Sequence, residues 1–258
     1  MGILNRIVQS TAPWMPKIVI GRIASVYVAG DKLEDGIDLV RKLNKKGFVG
    51  TLDLLGEEVK NRRGITKTTN SYCDLIDGIA NSGVDCNISL KLTAIGLKVD
   101  ESLCWDNLSV ILDKAKMYNT FVRMDMEDSE VTESTINMCK KAVNYYPNCG
   151  TVLQAYMYRT SDDIDLLKGP NTNIRLCKGA YKESKDIAIQ DYNRIRENYV
   201  ECAEKMIKNN IYSCFATHDT WIIERIEKLI EKNNFPKNNC EFQALSGVPI
   251  DKYSEIGS

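Results

Sequence analysis

The chain has 258 residues, enough to bury one large core or two small ones. Its 34 Lys and Arg nearly balance 35 Asp and Glu, and a formal net charge of −1 leaves no basic surplus for nucleic acid or an anionic membrane. Hydrophobic residues at 43% and charged residues at 27% are globular values; no apolar run approaches the ~18 residues of a membrane span, and MGILNRIVQS is too polar for a secretory signal.

Nine cysteines are scattered along the chain without CxxC spacing, so they read as small buried thiols in a reducing cytosol. His218 is the only histidine, which excludes a His-rich metal centre, and no metal is expected.

In chain order, residues 1–45 are expected to form a helical N-terminal segment, in which Leu33, Gly36, Ile37, Val40 and Leu43 share one face. Strands are then expected at Phe48 to Leu55, Cys86 to Leu92, Thr120 to Met126, Gly150 to Tyr156, Asn173 to Cys177, Tyr212 to Thr217 and Glu241 to Leu245. Their apolar residues come in continuous blocks, as in parallel strands covered on both faces. Helical patterns lie between them, including Leu108, Ile111, Leu112 and Ala115 before the third strand and Ile222, Ile223, Ile226 and Ile230 before the seventh.

Strand–helix alternation at about 30 residues means βα units and a parallel sheet. An open dinucleotide fold would show a glycine-rich turn after its first strand, yet only one glycine follows here. Polar residues instead crowd the carboxyl ends of the strands, where a (β/α)8 barrel of the TIM type puts its chemistry. The expected fold class is therefore α/β, a (β/α)8 barrel over residues 46–247. It is expected to be incomplete, with seven recognisable strands and a short polar tail, 248–258, too brief for a further strand between two helices. Its open edge would invite self-association.

Several strand-end residues suit chemistry. Asp125 lies inside the apolar run of FVRMDMEDS, where a carboxylate is costly unless paired, so a functional role is expected for it. Asp128 and Glu130 suit the positive end of the next helix. Arg175 alternates with Ile174 and Leu176 and should point inward, as half of an ion pair or as an anion ligand. Lys178, Gly179 and Ala180 make either a plain turn or a close backbone approach to a ligand. Lys91 could form a Schiff base or hold a carboxylate. Gln154 and Arg159 offer a neutral amide and a fixed charge, and His218 is expected on its own to cap a helix.

Taken in order, these segments resemble the proline dehydrogenase family of FAD-dependent barrels, from about Val26 to Gly247. The resemblance rests on YVAG (Tyr27 to Gly30), LDLLGE (Leu52 to Glu57), SLKLT (Ser89 to Thr93) and RMDMED (Arg123 to Asp128). It continues through VLQAYMYRT (Val152 to Thr160), IRLCKGAYKE (Ile174 to Glu183), ATHD (Ala216 to Asp219) and EFQALSG (Glu241 to Gly247). It implies oxidation of L-proline to Δ1-pyrroline-5-carboxylate by hydride transfer to flavin N5, with electrons passed to a quinone, as the first step of proline catabolism. The location it implies is cytoplasmic, with at most peripheral contact at the inner face of the membrane.

The resemblance also implies residue roles. Arg175 would sit beside flavin N5, Glu57 would pair with it as a gate, and Asp125 would join Lys91 in the active-site network. Lys91 would hold the proline carboxylate, and Tyr181 and Leu245 would line the ring pocket. Met126, Gln154, Lys178, Gly179, Ala180, Thr217, His218 and Gln243 would bind FAD. The family continues past its seventh strand with an eighth strand and a helix carrying Tyr-x-x-Arg-Arg, neither of which is recognisable in this sequence, and Ser246 stands where the family usually has tyrosine. A truncated non-catalytic barrel and a Schiff-base lyase are the alternative expectations.

Overall fold

The structure is a computed structural model that describes residues 29–30, 32–54, 59 and 61–247. Seven parallel strands, β1 (Gly50–Asp53), β2 (Cys86–Lys91), β3 (Val122–Asp125), β4 (Cys149–Gln154), β5 (Asn173–Cys177), β6 (Tyr212–Ala216) and β7 (Cys240–Gln243), lie side by side in sequence order. Helices alternate with them: α1 (Leu33–Asn44), α2 (Arg62–Ser82), α3 (Glu101–Met117), α4 (Ser129–Val143), α5 (Thr160–Leu167), α6 (Tyr192–Lys208) and α7 (Thr220–Lys232). All seven expected strands are present; β5 matches its expected bounds, β4 and β7 each start one residue early and end two early, and the others are trimmed.

The first strand is trimmed most, to four residues. Asn44 explains its late start. Its amide donates to the carbonyls of Phe48 (2.8 Å) and Asp85 (3.0 Å), while its Oδ1 accepts from the Asp85 amide (2.9 Å). Phe48 is thereby held in the turn that delivers the chain to the sheet. Within the expected helical N-terminal segment, α1 is the described helix; residues 1–28 and 31 and the tail 248–258 lie outside the described residues.

The sheet is curled. In a flat sheet, strands three apart would be separated by about 14 Å. Yet Arg175 on β5 reaches Ser89 on β2 at 3.1 Å, and Arg123 on β3 reaches the Cys214 sulfur on β6 at 3.3 Å. Only strands wrapped around a shared interior allow such contacts. No ladder joins β7 back to β1 among the described residues, so the expected seven-stranded open barrel is what is observed.

Two environments follow. Outside the sheet, apolar faces of the helices close on the strands: Leu75, Ile76 and Ile79 of α2, Leu108, Ile111 and Leu112 of α3, and Met206 and Ile207 of α6 are all buried. Burial of this kind, at about 25 cal/mol per Å², is the main source of stability. Inside, the residues are mixed in polarity and include the buried Arg123, Ser89 and Gln154.

Helix starts are marked by side-chain caps. Asn61, Asp100, Asp128, Asp191 and Asp219 each accept from an amide of the first turn of α2, α3, α4, α6 and α7. In a βα unit these starts face the carboxyl ends of the strands, so the caps ring the same mouth as the polar strand-end residues.

Candidate active site

At the mouth, the last residues of β1, β2 and β3 converge. Lys91 Nζ donates to Asp53 Oδ2 at 2.7 Å and lies 4.0 Å from Asp125. Parallel register dictates this: Asp53 pairs with Ser89, and Lys91 pairs with Asp125 across the β2–β3 ladder. From β5, Arg175 enters the same interior. Its Nη1 is 3.4 Å from Asp125 and donates to Ser89, while its Nε donates to Gln243 on β7 at 2.5 Å. Arg175 is inward, as alternation predicts, and it stands there as an ion-pair partner of Asp125.

Burial and charge oppose each other here. Burial raises the Asp125 carboxyl above its ordinary value; Arg175 and Lys91 pull it down, Asp53 adds to the rise, and the net direction is upward. Burial lowers the Arg175 guanidinium, and nearby Arg123 adds to this, though an arginine stays charged. Burial would also lower Lys91, but Asp53 and Asp125 outweigh it, so its ammonium is held above its usual value. A Schiff-base amine needs the opposite shift. The surroundings of Lys91 therefore do not favour the lyase alternative.

A second cluster forms on the rim. Lys178, just past β5, donates to Asp219 Oδ2 at 2.7 Å; Arg196 of α6 donates to Oδ1 at 2.9 Å, and the Tyr192 hydroxyl donates at 3.0 Å. Asp219 also caps α7 through the Trp221 amide at 3.1 Å. Burial pushes the Asp219 carboxyl up, but donors from Lys178, Arg196 and Tyr192 win and hold it at about 2. Two cations thus share one carboxylate. Arg196 Nε is buried without a hydrogen-bond partner among the described residues.

Between the clusters runs the turn after β5. Gly179 has φ +124°, and a Cβ there would lie 2.2 Å from the Tyr156 ring, so glycine is required twice over. The Ala180 amide donates to Gln154 Oε1 at 3.1 Å, and Gln154 Nε2 donates to the Glu127 carbonyl at 2.9 Å. Met126 and Thr217 are buried at the ends of β3 and β6. Tyr181 is half-buried; burial raises its phenol, with Glu127 and Asp125 adding to the rise and Lys91 opposing it. Leu245 is exposed, and its amide donates to His218 Nε2 at 3.0 Å.

Some expectations are corrected. His218 does not cap α7; its neighbour Asp219 does, because a short carboxylate reaches the first-turn amides while the His218 imidazole accepts from Leu245. Arg159 is drawn into a fork with Asp163 in α5, at 2.9 to 3.1 Å, so its charge is committed to that carboxylate. Asp128 and Glu130 take the expected places at the start of α4, Asp128 as its cap. Glu57 lies outside the described residues. The nine cysteines are free, six of them buried, and burial pushes thiols such as Cys86, Cys104 and Cys149 up to about 12.

The sequence reading assigned no role to Asp53, Ser89, Tyr72 or Arg196. Ser89 is two residues from Lys91 on one strand, so alternation could have put it on the same face. Tyr72 sits on the apolar stripe of α2 and looks like core; nothing in the sequence separates it from Leu75 or Ile76.

Among the described residues, no group of three or more His, Cys, Asp or Glu could hold a metal ion, and no helix is long and apolar enough to cross a membrane. Comparison with known proteins brings one family. The family description "Proline dehydrogenase" matches residues 37–256. Proline dehydrogenase 2 of Bacillus subtilis strain 168 is 34% identical over 247 residues, which cover 96% of this chain and 79% of that protein. The proline dehydrogenase of Deinococcus radiodurans is 32% identical over 241 residues, 92% of this chain and 78% of its own. In fold, the chain superimposes with a TM-score of 0.86 on proline utilization A from Bdellovibrio bacteriovorus, solved after inactivation by N-propargylglycine; identity is 23%, covering 93% of this chain and 30% of that one. On sequence, order of motifs and fold alike, this chain belongs to the proline dehydrogenase family.

Proposed function

We propose that this chain oxidises L-proline to Δ1-pyrroline-5-carboxylate with bound FAD and passes the electrons to a quinone. The observation that carries the reading is the convergence of Lys91, Asp125 and Arg175 on one curled interior in a chain of this family. The family is generally flavin-dependent. The donor set suits FAD: a fixed cation sunk in the barrel, an amide side chain and a glycine turn beside it, and a rim where, among the described residues, Lys178 and Arg196 share the one carboxylate of Asp219, leaving positive charge for a pyrophosphate. In this reading Met126, Gln154, Lys178, Gly179, Ala180, Thr217, His218 and Gln243 hold the cofactor.

When bound, FAD supplies the acceptor for the hydride that leaves the proline ring carbon next to nitrogen. The amine gives up a proton as the imine forms. The protein's part is positioning and electrostatics. Lys91 pairs with the proline carboxylate, with Tyr181 and Leu245 against the ring. Arg175 offers a permanent positive charge where negative charge develops, and Asp125 balances the two cations. Glu57 would gate the site by pairing with Arg175. The same reading divides the chain into a helical segment (1–45), the barrel (46–247) and a polar tail (248–258), and places it in the cytoplasm with at most peripheral membrane contact.

The test is the visible spectrum of the purified chain, recorded before and after anaerobic addition of proline. Bands near 380 and 450 nm, expected at about those positions for oxidised flavin, should bleach with proline. Bands that persist would leave a flavoprotein with another substrate. A colourless folded protein would overturn the reading.

A further inference from the structure

One side chain near the site comes from outside the strand layer. Tyr72 of α2 is 1% exposed and shares a helical face with the buried Leu75, Ile76 and Ile79. A phenylalanine would fill that volume equally well. The hydroxyl, however, donates to Asp53 Oδ1 at 3.1 Å, while the other oxygen of the same carboxylate accepts from Lys91 at 2.7 Å. Each oxygen thus holds one donor, and the plane of the carboxylate is set from both sides.

Lysine needs such support. Its ammonium is a point charge on a flexible stem and has no geometry of its own. It carries three donors, of which Asp53 takes one among the described residues. Asp125, the other carboxylate near it, is more distant at 4.0 Å. Resting on the reading of this chain as a proline dehydrogenase, we propose that Tyr72 and Asp53 are positioning residues that orient the Lys91 ammonium and keep it charged for the carboxylate of proline. Tyr72 acts through Asp53, and Asp53 acts on Lys91.

The titration directions agree with that order. Burial favours neutral Lys91, and Asp53 does most to restore its charge, with Asp125 and Tyr181 contributing less. Tyr72 is pushed well above the usual phenol range by burial and by Asp53, so it remains a donor throughout the working pH range. Among the described residues, the titratable groups facing Lys91 are Asp53 from β1, Asp125 from β3, Tyr181 from the turn after β5, and Tyr72 through Asp53.

The experiment uses the full purified chain and its Tyr72→Phe, Asp53→Asn, Asp53→Glu and Tyr72→Phe/Asp53→Asn variants, with two readouts. The first is KM and kcat for proline. The second is the pH at which Lys91 becomes acylable by acetic anhydride, followed by mass spectrometry of its peptide. Tyr72→Phe should raise KM by roughly five- to tenfold, well beyond any fall in kcat, by loss of one hydrogen bond to a charged group. Asp53→Asn should raise KM further and make Lys91 reactive at least about one pH unit lower, a tenfold larger neutral fraction. Asp53→Glu should recover the acylation midpoint while KM stays high. In the Asp53→Asn background, Tyr72→Phe should add almost nothing.

The proposal is overturned if Tyr72→Phe lowers the melting temperature but leaves KM and the Lys91 midpoint alone, or if its effect is undiminished in the double variant. If Tyr72→Phe does not fold, an unchanged Lys91 midpoint in Asp53→Asn overturns it equally. A wild-type chain that fails to oxidise proline, with the acylation shifts intact, removes the proline reading and leaves the Asp53–Lys91 coupling standing. Unchanged acylation with normal turnover removes this proposal alone.

Discussion

Asp125 and Asp219 make an instructive pair. Both lie near the carboxyl end of a strand, both side chains are largely buried, and both face two cations. Yet Asp125 is raised above its ordinary value and Asp219 is lowered to about 2. The difference is in distance and hydrogen bonding. Asp219 accepts from Lys178, Arg196, Tyr192 and an amide at 2.7 to 3.1 Å. Around Asp125 the cations stand off at 3.4 and 4.0 Å, and a second carboxylate, Asp53, is close by. A fully bonded carboxylate holds its partners in place, whereas one that is buried and loosely met neutralises little of the charge around it. β5 supplies both, sending Arg175 to one cluster and Lys178 to the other.

Four changes probe that contrast. The largest effect should come from Arg175→Met, which strips the inner cluster of its fixed charge. On the order of 10²- to 10³-fold should be lost from kcat/KM for proline in steady-state assays, the usual cost of removing a preorganised charge stabiliser. A variant within threefold of wild type would break the assignment of the inner cluster to chemistry.

Asp219→Ala should act on stability instead. Loss of a helix cap and of charge-assisted bonds to two cations should cost about 2–3 kcal/mol, read as a lower urea midpoint. The loss should depend on pH. Because Asp219 titrates below its ordinary value of 3.8, its contribution is complete above about pH 4 and disappears as pH falls through about 2. The gap between wild type and variant should therefore close in that window.

Gly179→Ala tests the seam between the clusters. A positive φ and a Cβ pressed against the Tyr156 ring should cost about 2 kcal/mol, with flavin content of the purified protein falling in parallel. Full flavin content in this variant would mean that the turn serves packing alone.

The smallest effect, and the sharpest in sign, belongs to Asp125→Asn. A carboxyl raised in the folded state stabilises at low pH, and that contribution is lost as pH rises through the folded value. Wild type should thus lose stability relative to Asp125→Asn on going from pH 4 upward, opposite in sign to the Asp219 pair. Thermal melts across that range would show it, and parallel curves would break the comparison.

Much of this was legible in the sequence. Continuous apolar blocks announced parallel strands, and polar residues at their carboxyl ends announced the mouth, because periodicity and strand polarity are local properties. Alternation likewise turned Arg175 inward. Roles that depended on a single neighbour fared worse. His218 and Asp219 are adjacent, and only the reach of each side chain decided which one capped α7.

What the sequence by itself determined is the order of βα units, the face each strand residue occupies and the family to which the chain belongs. Tertiary structure alone decided which charge meets which. Asp53 and Lys91 are 38 positions apart, and Arg175 and Ser89 are 86 apart. Tyr72 enters the site network from a helix whose pattern reads as plain core. Such partners are chosen by sheet register and by the curl that brings third-neighbour strands within one side chain of each other, and no local periodicity encodes that curvature.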